Sequence, residues 1–143
     1  MSYEFAGPQW VAFMHGLVVE RLERLRREIP NVAWSICEVF TDPPPTLSPD
    51  GSSIAWHCVV SEGRLTRFGS GEIDDVEFKV VADYAAILPI ARYDTRGEPE
   101  RVADLGRMSR ELVEAGRMRI EGDRSGRNPE IGGFHDMVAR VTL

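Results

Sequence analysis

The side chains of this sequence that could carry chemistry are three histidines, two cysteines and one crowded run of carboxylates. His15, His57 and His135 stand too far apart to form a four-apart metal-ligand pair, and Cys37 and Cys58 make no Cys-x-x-Cys. His57 and Cys58 adjoin in a stretch that alternates like a strand. Their side chains should leave on opposite faces, which disfavours a local thiolate–imidazole pair. A pairing of Cys58 with His15 or His135 through the fold stays open at this level. The acids Glu72, Asp74, Asp75, Glu77 and Asp83 cluster, but without the alternate spacing and sharp glycine turn of a calcium loop. A solvated turn is the simpler reading. Gly69-Ser70-Gly71 lacks both the lysine and the following helix of a phosphate loop. These residue types predict no catalytic group, no metal and no cofactor.

The bulk properties narrow the field further. The chain has 143 residues, 43% of them hydrophobic, and a formal charge of −6. A chain of this length buries roughly 70% of its extended surface on folding, enough for one domain over residues 1–143 without disulfides or metal. The acidic balance argues against a nucleic-acid partner and against a polybasic membrane anchor. No apolar run approaches the roughly 20 residues of a membrane span, and Met1-Ser2-Tyr3-Glu4-Phe5 lacks the layout of a signal peptide. The expectation is a cytoplasmic protein with Cys37 and Cys58 as buried, reduced thiols.

The elements follow from hydrophobic period. After Gly7-Pro8, the residues Trp10, Phe13, Met14, Leu17, Val18, Leu22, Leu25 and Ile29 recur at three- and four-residue steps, predicting a first helix that Pro30 stops. The period then falls to two. Trp34, Ile36 and Phe40 share one side of a first strand, and Ile54, Trp56, Cys58 and Val60 one side of a second. Four prolines and Asp50-Gly51 mark a stiff loop between them. Ser61-Glu62-Gly63 turns into a third strand, Arg64 to Gly69. The fourth strand puts Val76, Phe78, Val80, Ala82 and Tyr84 on one side, and Asp83 stands where the N-cap of a short helix should be. Pro99 opens another helix with the stripe Val102, Leu105, Met108, Leu112 and Val113, capped by Gly116. A short glycine-framed strand, the polar loop Arg124 to Pro129, and a closing helix through Phe134, Met137, Val138 and Val141 complete the chain. Hairpin-linked strands followed by helices predict an α+β fold, a mostly antiparallel sheet with the helices gathered on one face.

Two segments resemble a known family. Phe78-Lys79-Val80-Val81-Ala82-Asp83-Tyr84-Ala85-Ala86-Ile87-Leu88 is similar to the strand-into-helix segment of the sterol carrier protein type 2 family. Gly116-Arg117-Met118-Arg119-Ile120-Glu121-Gly122-Asp123 is similar to that family's late signature of glycine, alternating basic and hydrophobic residues, glycine and Asp or Asn. The resemblance implies a five-stranded sheet whose helices enclose an apolar cavity, and non-enzymatic binding or transfer of a fatty acid, a fatty acyl-CoA or a sterol-like lipid. It places Phe78, Val80, Met118 and Ile120 inward and brings Leu88 in from the short helix, with Arg117 and Arg119 pointing away. The sequence departs from the pattern at Pro89, where the family has glycine, in an apparent insertion from Arg92 to Arg101, and in the long loop Thr41 to Ser53.

Bulky or flexible apolar side chains on the other elements complete the expected ligand-binding set: Phe13 and Leu17 on the first helix, Trp56 and Phe68 on strands, Met108 and Phe134 on later helices. The partner expected is an apolar small molecule or lipid. The competing reading is a protein-interaction or homodimer module of the same fold with a filled core.

Overall fold

The computed structural model describes residues 1–122 and 133–143. Asp123 and the polar loop from Arg124 to Pro129 lie outside the described residues. Helix α1 (Pro8–Leu25) starts with proline in its first turn, where a missing N–H costs nothing, and buries Trp10, Val11, Met14, Val18, Leu22 and Leu25. It ends one turn short of Ile29. Strands β1 (Trp34–Thr41), β2 (Ile54–Ser61) and β3 (Arg64–Ser70) follow as two hairpins, and then β4 (Phe78–Asp83) runs into α2 (Tyr84–Ala91). Helix α3 (Pro99–Glu114), β5 (Met118–Gly122) and α4 (His135–Ala139) close the chain.

The five strands form one sheet in the order β3-β2-β1-β4-β5. The β1–β4 pair is parallel, with Ile36 opposite Phe78 and Glu38 opposite Val80; the other three pairs are antiparallel. The expected mostly antiparallel α+β sheet is therefore present, but β4 does not continue a meander. It returns to the centre beside β1. A parallel neighbour requires the chain to cross a face of the sheet, and the segment from Gly71 to Glu77 makes that crossing on the back. There Ile73 packs with Cys37, Val39 and Ala55, and Val76 joins Val59 and Val81 at the edge of this cluster. Val76 therefore leaves the row of Phe78, Val80 and Ala82 in which strict alternation would put it. The crossing is fixed at several points. Gly71 N–H donates to the Ala55 carbonyl (2.8 Å), His57 Nδ1 donates to the Gly71 carbonyl (2.9 Å), and Glu77 N–H donates to Ser35 Oγ (2.7 Å). Glu72 and Asp74 both clasp Lys79 Nζ, at 2.5 and 2.6 Å. Part of the acidic cluster is thus a strap across the back of the sheet and not a free solvated turn.

The front face carries the main core and all the larger helix contacts. Tyr84 Oη donates to the Phe5 carbonyl (2.8 Å), and burial pushes the Tyr84 phenol up to about 12. The chain ends are tied by Tyr3 N–H to the Val141 carbonyl (2.6 Å) and Leu143 N–H to the Tyr3 carbonyl (2.9 Å). Helix α2 keeps Pro89 inside it and continues to Ala91. Helix α3 runs as expected from Pro99, yet it buries none of its residues; Val102 is 51% exposed and Val113 44%.

Both glycines of the late signature have a backbone reason. Gly116 sits at φ +72°, its N–H on the Val113 carbonyl and the next N–H, of Arg117, on the Leu112 carbonyl. This double bond closes α3 in a left-handed cap that favours glycine. Gly122, at φ +95°, lies so close to β4 that a Cβ would sit inside van der Waals distance of the Glu77 carbonyl. Gly122→Ala should therefore cost about 2–3 kcal/mol in urea unfolding. Gly16→Ala, in the interior of α1 with open space around it, should instead stabilise by about 0.5–1 kcal/mol.

Candidate functional site

Alternation along the central strands aims one row of side chains at the helices. From β1 come Trp34, Ile36 and Glu38, from β2 Trp56, from β4 Phe78 and Val80, and from β5 Met118 and Ile120. Phe5, Trp10 and Met14 cover them at one end, and Ile87, Ile90 and Ala91 of α2 above. Leu105 and Ser109 of α3 and Phe134, His135 and Val138 near the end of the chain make the remaining described wall. Between these walls lies a pocket of about 370 Å³.

Aromatic packing sets the shape of the end lined by Phe5, Trp10 and Trp56. Phe5 meets Trp10 edge-on (centroids 5.2 Å apart, planes at 88°), and Trp10 meets Trp56 at 5.8 Å and 67°. Such pairs contribute about 0.5–1.5 kcal/mol beyond their area. Two indoles are also pinned by hydrogen bonds: Trp10 Nε1 donates to Thr142 Oγ1 (3.1 Å) and Trp56 Nε1 to Glu38 Oε1 (2.8 Å). Glu38 is thus a carboxylate held in an apolar wall by an indole N–H. Trp34 Nε1 is buried with no hydrogen-bond partner among the described residues, which costs about 1–3 kcal/mol if left so.

The walls are anchored from outside the pocket. Asp83 accepts from Ala86 N–H (2.9 Å), capping α2 as expected, and also receives Arg117 (3.1 Å) at the start of β5. The segment Arg92–Arg101, read as an insertion, ties α4 down. Thr95 gives its N–H (2.8 Å) and its hydroxyl (2.6 Å) to the Asp136 carboxylate, Arg140 reaches Asp94 (2.9 Å), and His135 Nε2 donates to the Tyr93 carbonyl (2.8 Å). Burial tends to raise the Asp136 carboxyl, but the two bonds from Thr95 outweigh it and hold it below the usual carboxylate range.

Of the residues expected to line a cavity, Trp56, Phe78, Val80, Met118, Ile120 and Phe134 come together around this pocket. Phe13, Leu17, Phe68, Leu88 and Met108 do not line it. Phe13 meets Tyr3 at a tilt (5.8 Å, 45°), Phe68 lies between Trp56 (5.8 Å) and His15 (4.7 Å), and Leu17 and Leu88 pack half-buried against the core. Met108 is half-buried on α3, one step round the helix from the Leu105–Ser109 row that does face the pocket. The physical reason is the same on both helices: an apolar stripe is wider than the strip above the pocket, and only one of its four-apart rows, such as Trp10–Met14, lies over it. Sequence reasoning also missed Glu38, although it falls in phase with Trp34, Ile36 and Phe40. Arg117 and Arg119 point outward as expected, toward Asp83 and Glu121.

The residues whose types suit covalent chemistry are dispersed. Cys37 faces the back of the sheet and Cys58 the front, and both are free and buried. Burial pushes the Cys58 thiol up to about 12 and raises Cys37 as well. His57, on the back, is occupied by Gly71, His15 lies exposed on α1, and His135 is held by Tyr93. Among the described residues no group of three His, Cys, Asp or Glu side chains is placed to hold a metal, and no helix is long and apolar enough to cross a membrane.

No protein-family model matches this sequence, and neither does any curated protein. Solved structures do. The solution structure of the conserved hypothetical protein TT1886 from Thermus thermophilus, suggested there to be a sterol carrier protein, superposes with a TM-score of 0.53. It is 16% identical, over 97% of this chain and 93% of that one. This chain has the sterol carrier protein fold. A crystal structure of sterol carrier protein 2 (TM-score 0.49, 14% identity, 96% of each chain) and a structure of the ubiquinone synthesis protein UbiJ-SCP2 (0.42, 16%, 92% of each) are also similar. In this version of the sterol carrier fold, the strand-to-helix and late-strand segments that carried the resemblance supply Phe78, Val80, Ile87, Met118 and Ile120 to the pocket wall.

Two outcomes test this description. A Cys58 thiol with its pKa near 12 should react with iodoacetamide only on unfolding, and rapid alkylation of the native protein at pH 8 would contradict the burial described. Asp136 has a folded pKa below its unfolded one, so its stabilisation is complete above the unfolded value and fades as pH falls through the folded value. Asp136→Asn should lower the melting temperature at pH 7, and the gap to the wild type should narrow below about pH 4.

Proposed function

We propose that this protein is a non-enzymatic binder or carrier of an apolar ligand, a fatty acid, the acyl chain of a fatty acyl-CoA or a sterol-like lipid, held between the sheet and the helices. The observation that carries the reading is the pocket of about 370 Å³ walled by Trp34, Ile36, Phe78, Val80, Met118 and their neighbours. That volume falls in the lower part of the range typical of small-molecule sites, about 300–1,000 Å³. It suits one alkyl chain or a compact fused-ring body. The nucleotide of a coenzyme A thioester would have to stay outside, and the described lining offers it no lysine or arginine. The suggestion of a sterol carrier in the similar Thermus thermophilus structure points the same way.

Burial alone can drive such binding. Each methylene removed from water contributes about 0.8 kcal/mol before entropic costs, and no covalent step is needed. Two thiols buried on opposite faces of the sheet suit the reducing cytoplasm, where we place the protein as one domain.

The expected signature is an affinity that climbs about fourfold per added methylene in a fatty-acid series and then levels off when the pocket is full. Isothermal titration with saturated acids of increasing length measures it; no uptake at any length, or no dependence on length, would overturn the proposal. Ile120→Ala, at a lining position 43% exposed, should weaken binding several-fold with little change in melting temperature. Asp74→Asn, on the strap behind the sheet, should leave the affinity unchanged.

A further inference from the structure

The tryptophan indoles of this chain fare differently. Trp10 donates to Thr142 Oγ1 and Trp56 to Glu38 Oε1, at 3.1 and 2.8 Å. Trp34 is 5% exposed and lines the pocket, and its buried Nε1 finds no acceptor among the described residues. Buried polar groups in folded proteins are overwhelmingly paired, so a lone one in a pocket wall calls for an explanation. Indole Nε1–H can only donate, and nothing but an acceptor answers it. The ring packed nearest it, Phe134 at 6.4 Å between centroids, offers no side-chain oxygen or nitrogen.

Position adds direction. Trp34 begins β1, and Glu38, with its bond from Trp56, lies four residues further on the same face, about 13 Å along the strand. Between them stand Ile36 and its parallel partner Phe78, both in the pocket wall. The described floor therefore has a donor at one end and an apolar stretch beside it.

We propose that Trp34 is the polar anchor of the pocket: its indole N–H donates to an oxygen on the head of a bound amphiphile, whose apolar body then lies along β1 over Ile36 and Phe78. This rests on the pocket being a ligand site and adds a requirement to it. The occupant must carry a hydrogen-bond acceptor, as an alcohol, a carbonyl or a carboxylate does. A matched hydrocarbon would leave the donor unanswered and bind less well.

The test uses the full chain and three probes with one chain length: lauryl alcohol, lauric acid and dodecane. The protein's three tryptophans give three indole signals in a proton–nitrogen correlation spectrum, and Trp34→Phe, which keeps an aromatic ring, assigns one by its loss. The Trp34 indole proton should move downfield with the alcohol or the acid and stay upfield with dodecane. Which oxygen probe moves it further tells a neutral head from an anionic one. Trp34→Phe should weaken the oxygen-bearing probe by about tenfold (about 1.4 kcal/mol) and leave dodecane unchanged. If all three probes bind alike and the substitution does not separate them, Trp34 is not the anchor, although the pocket reading survives. A Trp34 signal already downfield without ligand and unmoved by any probe would mean that the donor is satisfied by water, which also overturns the proposal. If nothing binds the wild type, the pocket reading itself fails.

Discussion

Everything in this fold depends on where the chain crosses the sheet. A parallel β1–β4 pair at the centre obliges the polypeptide to pass over one face on its way from the edge strand β3. It uses the back, and Ile73, the Ser35 and His57 hydrogen bonds and the Lys79 clasp hold it there. The front face is left whole. With no crossing loop over it, α1, α2, α3 and α4 can arch over the front and leave room beneath them. The exposed clasp is worth little as a pair of surface bridges, so the burial of Ile73 among Cys37, Val39 and Ala55 does most of the holding.

The local elements were legible because each is encoded by neighbours. The 3.6-residue period of α1, the Asp83 cap of α2, Pro99 at the start of α3 and Gly116 at its end are short-range signals, and each is present in the fold. Pairing of β4 with β1 is not encoded that way. Ile36 meets Phe78 in register although two other strands intervene in the chain, and no turn residue announces it. A reading by consecutive hairpins therefore put β4 next to β3 and kept Val76 in its inward row. The short family-like segments were more informative than period alone, since they placed Phe78, Val80, Met118 and Ile120 inward, and all four line the pocket.

The pocket-lining residues were legible on the inner strands, though not at Phe68 on the edge strand β3, and poorly so on helices. Alternation on a strand leaves two choices, and the larger apolar side chains select one. A helix face is continuous, and size cannot tell Trp10–Met14 over the pocket from Phe13–Leu17 beside it. Glu38 was overlooked for the opposite reason. Its period was right, but its charge argued for solvent, and only the tertiary approach of Trp56 Nε1 makes its inward place tolerable.

Stability and site occupancy draw on different parts of this molecule. The sheet, α1 and the aromatic cluster around Phe40 supply the densely buried material. Helix α3, by contrast, contributes Leu105 and Ser109 to the pocket wall while burying no residue of its own. It is held by its glycine cap, by half-buried Leu112 against the core, and by Tyr93 and Arg101 near its start. An element with so little buried area opens at lower free energy than the sheet it leans on. The wall most free to yield is thus the one whose movement costs the core least, so the entry of the apolar ligand we propose requires no loosening of the strands that present Trp34, Phe78 and Met118 to the pocket.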